Sequence, residues 1–292
     1  MFRGILYVIL ASLLFGVTPL GNKFVLLTGM AADCVLFYQA LTMIVGTALA
    51  IAVTRCSLRI PKKDILFLLF IGAVGMGATD YLLNLSYGYL QVSTVVMLHF
   101  LYPTIVLLVS ALLFRQKVSK VTAGAVVLSV AGLVLVTDFS GGMNPVGAAL
   151  ALGSAAAYAF FVLANDFGEV NRNALVVKLF YLSVGAAAVY GVKTVACGNF
   201  SLPVDGKTAL ALIGLVGVGS LVGFYFITAG VKIVGAGKAA FLNMLEPITG
   251  ILGGVFFYHE ALSGRGWTGC LCVLLSVLLI GLEGAKASKS GE

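Results

Sequence analysis

Ten long apolar runs follow one another through this sequence with very little chain between them. They lie near 4–27, 33–54, 64–87, 91–114, 119–137, 145–167, 174–196, 207–231, 236–258 and 264–283. A helix needs about 20 mostly apolar residues to cross the hydrocarbon core of a bilayer, whereas membrane barrels are built from alternating segments of about ten. These runs do not alternate, so the expectation is an all-α membrane protein with ten transmembrane helices. Composition excludes an ordinary soluble domain: 10% of the residues are charged, against about 25% in globular proteins. The widest gaps, 55–63 and 197–206, are too short to hold a catalytic or nucleotide-binding domain. Any site must therefore be built among the helices. The first run continues past Pro19 without a small-residue cleavage pattern, which predicts a retained span rather than a removed signal peptide.

The net charge of +7 follows topology and does not point to a nucleic-acid partner. With the N-terminus inside, Arg3, Arg55, Arg59, Lys62, Lys63, Arg115, Lys117, Lys120, Arg172, Lys232, Lys238, Lys286 and Lys289 fall on one side of the membrane. Only Lys193, Lys207 and Arg265 fall on the other. Basic residues concentrate in cytoplasmic loops, so both termini are expected in the cytoplasm, on a multi-pass protein of the cytoplasmic membrane. Cys34, Cys56, Cys197, Cys270 and Cys272 show no metal-ligand spacing, and neither a metal nor a cofactor is expected. Cys34 and Cys197 both fall near the outer surface, where the sequence leaves their pairing open.

IGAVGMG at 71–77 returns as IGLVGVG at 213–219, LFY at 36–38 returns at 179–181, and HFLYPTIV at 99–106 aligns with NMLEPITG at 243–250. The offsets, 142, 143 and 144, describe a duplicated unit of five spans. The first repeat is expected over 1–140 and the second over 141–292. An odd number of spans makes the second copy enter the membrane in the opposite sense. Inverted repeats of this kind are the architecture of many secondary transporters, whose sites lie near the midplane between the repeats, often where helices are interrupted.

Particular motifs carry a resemblance to a known family. Phe15-Gly16 and Lys23 in the first run, Leu101-Tyr102-Pro103 in the fourth, Tyr158-Ala159 in the sixth, and Leu245-Glu246-Pro247 followed by Glu260 in the ninth resemble the EamA family of the drug/metabolite transporter superfamily. The likeness covers nearly the whole chain. It implies a central cavity lined by spans 1, 3, 4, 6, 8 and 9, with spans 5 and 10 at the periphery. Gln39 stands where that family often has Arg, and Gln116 where its first repeat often has the Glu that Glu260 represents in the second.

Counting at 1.5 Å per residue, Glu246 lies roughly 15 Å from the inner end of its span, about mid-bilayer. Ionisable residues at that depth are candidates for function. Its repeat mate is Tyr102, and one turn earlier stand Asn243 and its mate His99, which places a polar pair on one helix face in each repeat. Pro103 and Pro247 each remove a donor and crowd the carbonyl one turn back, so kinks are expected there and at Pro19. Span 3 adds Asp80, Asn84 and Tyr87 on one stripe. Asp80 and His99 lie at similar depth, and an Asp–His pair is expected. Lys23 either reaches water by snorkelling or holds a substrate carboxylate beside Thr18, Pro19 and Asn22. Tyr158 belongs to an aromatic set, with Phe15, Tyr81, Phe161, Phe224 and Tyr225, able to stack a planar or cationic solute. Glu260, at a helix end, is expected to be structural.

The expected substrate-binding or coupling set is thus Glu246, Asn243, His99, Tyr102, Asp80, Asn84, Lys23 and Tyr158. The expected function is secondary transport, as an exporter, of small polar metabolites such as amino acids or amines, by alternating access. Protons are a candidate coupling ion, the lipid bilayer is the surrounding partner, and the protein is a monomer or homodimer. Two rivals stand beside it: a membrane-embedded enzyme using Asp80 and His99 with a hydroxyl, and a channel or scaffold. Against the first, the chain has only two histidines and neither an HExxH nor a GxSxG pattern. Against the second, a channel calls for rings of charge or carbonyls along a through-pore.

Overall fold

The computed structural model describes residues 2–102, 104–105, 108–109, 119–136, 143–166, 174–234 and 245–290. Among the described residues there are helices and no strands. α1 spans Phe2–Leu27, α2 Ala32–Thr54, α3 Lys62–Ser86 and α4 Val92–His99. α5 spans Lys120–Val136, α6 Pro145–Asp166 and α7 Leu175–Ala196. α8 begins at Gly206–Ala209 and continues to Gly219–Val234, α9 spans Leu245–Tyr258 and α10 Gly264–Ser290. Most described helix ends fall close to the ends of the apolar runs, because a run long enough to span lipid must satisfy its own backbone by helical hydrogen bonds; α4 departs from this, stopping at His99 inside the run 91–114. α10 continues beyond its apolar stretch through a polar tail to Ser290.

Five helices, Phe2–Leu27, Ala32–Thr54, Lys62–Ser86, Leu175–Ala196 and the Gly206–Ile227 part of α8, are long and apolar enough by themselves to cross a bilayer. The bundle turns large apolar side chains outward, with Leu49, Val53, Leu210 and Phe256 between 63% and 82% exposed. A soluble monomer does not tolerate apolar surface on this scale; lipid is the solvent that does. α8 opens with a conventional cap, the Asp205 carboxylate accepting from the backbone N–H of Thr208 at 2.7 Å. That hydrogen bond holds the Asp205 carboxyl below its ordinary range.

The helices pair by position in the two halves of the chain. α1 packs on α8 and α9, while α6 packs on α3 and α4; α2 packs on α7, and α5 on α10. Each half therefore lends its first helix to the third and fourth helices of the other, and the second and fifth helices pair with their own counterparts. The cores follow these seams. Val92, Val95, Val96 and Leu98 of α4 are buried with Leu20, Tyr87, Ala148 and Ala151, and Met97 meets Ile251, Cys270 and Val273 of α9 and α10.

Two helices widen at the same place in the duplication. α3 is π-helical over Ile71–Gly77 and α8 over Leu210–Val218, so both copies of the glycine-rich repeat carry the wider turn. π turns are rare and concentrate at functional positions. Here the glycines also bring main chains together: a β-carbon on Gly72 would strike the Leu182 backbone, and one on Gly185 the Leu69 backbone. The extra residue in each wide turn rotates the next stretch of helix, and Thr79 and Asp80 of α3 and Ser220 and Phe224 of α8 face the interior.

Gly72→Val is expected to push α3 away from α7 and lower the melting temperature of the purified protein, an overpacking cost of about 1–3 kcal/mol. Gly124→Ala, whose β-carbon meets nothing within 4 Å, is expected to leave it unchanged or raise it, since Ala is the better helix former.

Candidate functional site

Seven helices enclose an internal cavity of about 200 Å³. α1 contributes Phe15, Thr18, Pro19 and Asn22, and α2 contributes Gln39. α3 contributes Thr79, Asp80, Asn84 and Tyr87, and the end of α4 contributes His99 with Tyr102 just beyond it. Tyr158 and Phe161 come from α6, Ser220 and Phe224 from α8, and Glu246 and Gly250 from α9. A larger space of about 650 Å³ lies between α1, α8 and α9, lined by Val17, Phe24, Leu215 and Phe257. It is open and almost wholly apolar, as a surface facing lipid tails should be.

Six of the eight sequence-predicted residues meet in the internal cavity: Glu246, His99, Tyr102, Asp80, Asn84 and Tyr158. Asn243 and Pro103 lie outside the described residues. Of the other two prolines, Pro19 sits within α1, which is helical from end to end, and Pro247 occupies the first described turn of α9. α4 ends at His99, a turn at Phe100–Leu101 follows, and helical geometry resumes at Tyr102. The broken end of α4 is thus where His99 and Tyr102 enter the cavity.

The expected Asp80–His99 pair does not form. His99 Nδ1 lies 3.0 Å from the Ser154 hydroxyl, which donates to the Ala151 carbonyl at 2.6 Å. Ser154 can therefore only accept, so Nδ1 carries the hydrogen. Asp80 instead meets the Tyr190 hydroxyl of α7, which also reaches the Gly77 carbonyl at 2.9 Å. The reason is packing: α6 sets Ser154 against His99, and α7 sets Tyr190 against Asp80. An aromatic wall runs alongside, with Tyr102 edge-on to Tyr158 at 4.6 Å and Tyr158 stacked on Phe161 at 5.6 Å. Phe15 and Phe224 meet edge-to-face at 5.1 Å.

Lys23 is in neither of its expected places. It lies outside the cavity lining and its side chain is 16% exposed, 3.8 Å from the Glu260 carboxylate. Its ammonium also donates to the Leu90 carbonyl at 3.3 Å. Glu260 is buried and accepts from the backbone N–H groups of Val92 and Ser93 at 2.6 and 3.0 Å, and from the Ser93 hydroxyl at 2.6 Å. These are the first amides of α4, and a carboxylate at a helix N-terminus satisfies donors that the helix itself cannot. His259 makes the geometry possible with a left-handed backbone, φ 51°, which turns the chain back so that Glu260 lies over Gly254, where a side chain would block it. Tyr258 closes the cluster by donating to the Leu20 carbonyl at 2.6 Å.

Sequence reasoning named Glu260 but not its partner, and it passed over Gln39, Thr79 and Ser220 as cavity residues. Each is a polar residue inside an apolar run, which was the available signal. Which way each faces depends on the wide turns of α3 and α8 and on the docking of α2. All five cysteines are free, and Cys34 donates to the Ser201 carbonyl at 3.6 Å.

A cavity carrying buried polar and ionisable groups, inside a bundle with an apolar outer surface, is the kind of site at which membrane transporters hold a small molecule between helices. The chain belongs to the EamA-like transporter family, whose pattern matches residues 2–138 and again 145–282. It is 26% identical over 239 residues to the uncharacterized inner membrane transporter YicL of Salmonella typhimurium, covering 78% of this chain and 77% of that one. It is 22% identical over 235 residues to the uncharacterized membrane protein YMR253C of Saccharomyces cerevisiae, covering 72% of this chain and 54% of the yeast protein. A solved crystal structure superposes on 97% of this chain and 98% of its own with a TM-score of 0.69 at 18% identity, a likeness of fold.

Replacing Glu260 by Ala strips the first amides of α4 of their acceptor and leaves Lys23 without its anion. Removing one partner of a buried ionic group costs about 3–5 kcal/mol, so Glu260→Ala is expected to lose most of its folded yield or melt far below the wild type in detergent.

Proposed function

We propose that this protein is a secondary transporter that exports small polar metabolites, amino acids or amines, across the cytoplasmic membrane by alternating access. The observation that carries the reading is the presence of Asp80 and Glu246 in one cavity whose described lining holds neither Lys nor Arg. Two carboxylates in such a lining call for a cation, supplied by an amine or a proton. Glu246, at the junction of α9 with α1 and beside Tyr102 and Tyr158, is the proposed coupling and binding carboxylate. His99, Tyr102, Tyr158 and Asn84 shape the space around it, and Asn243 is proposed to complete the same turn.

In this reading all ten helices cross the membrane as two inverted five-helix repeats, 1–140 and 141–292, with both termini in the cytoplasm. Rocking occurs between the group formed by α1, α8 and α9 and the group formed by α6, α3 and α4. Each group joins helices from both repeats, so their relative motion exposes the cavity to one side and then the other. The site is complete within one chain, which makes a monomer sufficient, and a homodimer would carry two independent sites. The enzyme alternative has less support, because His99 is engaged with Ser154 and Asp80 with Tyr190 rather than with each other.

Reconstitution in liposomes tests this. Saturable flux of at least one amine-bearing metabolite is expected, and flux should respond to an imposed pH gradient. Glu246→Gln removes a charge-assisted contact worth about 1.5–3 kcal/mol, so transport should fall roughly 10- to 100-fold and lose its response to the gradient. No saturable flux across a broad metabolite panel would refute the proposal.

A further inference from the structure

Four buried polar atoms on the described cavity wall have no partner: three are the amide oxygens of Gln39, Asn84 and Asn22, and the fourth is the Tyr87 hydroxyl. Gln39, 7% exposed, gives its Nε2 to the Ser220 hydroxyl at 3.3 Å. That hydroxyl donates to the Val216 carbonyl at 2.7 Å, so it can only accept from Gln39, and the amide orientation is fixed. Its Oε1 is buried without a partner. Asn84, 2% exposed, gives Nδ2 to the backbone carbonyl of Asp80 at 2.9 Å. A carbonyl cannot donate, so Oδ1 is the atom left over, and it too has no partner. Asn22, 4% exposed on the same cavity wall, adds an unpartnered amide oxygen, and its Nδ2 makes no hydrogen bond that would fix which way the amide is turned.

The side-chain hydroxyls of the wall are already committed: Thr18 to the Leu14 carbonyl, Thr79 to Gly75 and Ser220 to Val216. The His99 Nδ1 is engaged with the Ser154 hydroxyl at 3.0 Å. The remaining side-chain donors of the described wall are chiefly the phenols, among them the unpartnered Tyr87 hydroxyl. A buried acceptor without a donor costs about 1–3 kcal/mol. Several gathered at one cavity call for a ligand that supplies the missing N–H groups.

The geometry points to a substrate that brings positive charge and several N–H donors but no carboxylate of its own. It is a primary ammonium or guanidinium compound whose apolar body lies against the Tyr102–Tyr158–Phe161 wall. This rests on the transporter reading above and narrows it. A zwitterionic amino acid would place its carboxylate beside Asp80 and Glu246 with no described Lys or Arg to receive it, a desolvation cost without compensation. A quaternary ammonium would carry the charge but leave the orphan oxygens unpaired.

Three probes that share one body separate these cases: phenethylamine, phenylalanine and trimethyl(phenethyl)ammonium. Each is titrated against the purified full-length protein by thermal shift, where a ligand of the folded state raises the melting temperature by mass action, and is then assayed for flux in liposomes. Phenethylamine is expected to be transported and to bind at least about tenfold tighter than either analogue, because each lost donor leaves a buried acceptor unpaired. Phenylalanine binding as well as the amine would overturn the inference and leave the broader amine-metabolite transporter standing. Equal binding of the quaternary compound would overturn it by showing that charge alone is read. Flux of none of these, nor of any metabolite in the panel, would bring down the transporter reading itself.

Discussion

The short helix α4 stops and starts inside a membrane protein, and its first amides would have no partner if lipid or apolar side chains faced them. Glu260 answers that need from the far half of the chain, at 2.6 and 3.0 Å from the amides of Val92 and Ser93. Much depends on this contact. The other end of α4 presents His99 and leads to Tyr102, so the carboxylate that fixes its start also fixes the depth of those rings. Lys23 balances the charge and pins the C-terminal part of α1, which carries Thr18, Pro19 and Asn22 into the same cavity. A substitution at this cluster is therefore felt at the site without touching it.

The second organising feature is the widened turn that the duplication placed in both α3 and α8. A β-carbon is missing wherever α3 and α7 meet main chain to main chain, and the π turn rotates the helix beyond it. In the first half the residues turned inward are Thr79 and Asp80; in the second they are Ser220 and Phe224. One backbone device thus presents different chemistry from the two sides, and the cavity is asymmetric although its scaffold is not. The same asymmetry separates the pre-proline turns, where Glu246 in one copy stands opposite Tyr102 in the other.

Most of the fold was legible in the sequence because lipid imposes a length and a composition that soluble surroundings do not. Apart from α4, which breaks at His99, the described helix bounds track the apolar runs, and the duplication was readable as repeated strings. The depth of Glu246, Asp80, Asn84, His99, Tyr102 and Tyr158 could be counted off their spans, and all six line the cavity. Reasoning by depth failed where two groups at the same level had other neighbours. Asp80 and His99 were matched in height, yet Tyr190 and Ser154 are their partners. Lys23 was read against water or substrate, when its nearest anion lies 237 positions away in the chain.

By itself, then, the sequence determined that this chain is a helical membrane protein built by duplication, since hydrophobic length and internal repetition are local properties that need no partner. It also marked Glu246, Asp80 and His99 as polar residues deep within apolar runs. Only the tertiary structure decided what the polar residues meet: that Glu260 caps α4, and that Gln39 and Asn84 give up their donors to the protein and keep unpartnered amide oxygens. The physical reason is that hydrogen-bond pairing depends on the azimuth of each helix and on which neighbour packs against it. Both are set by long-range packing at glycine contacts and π turns rather than by any run of adjacent residues.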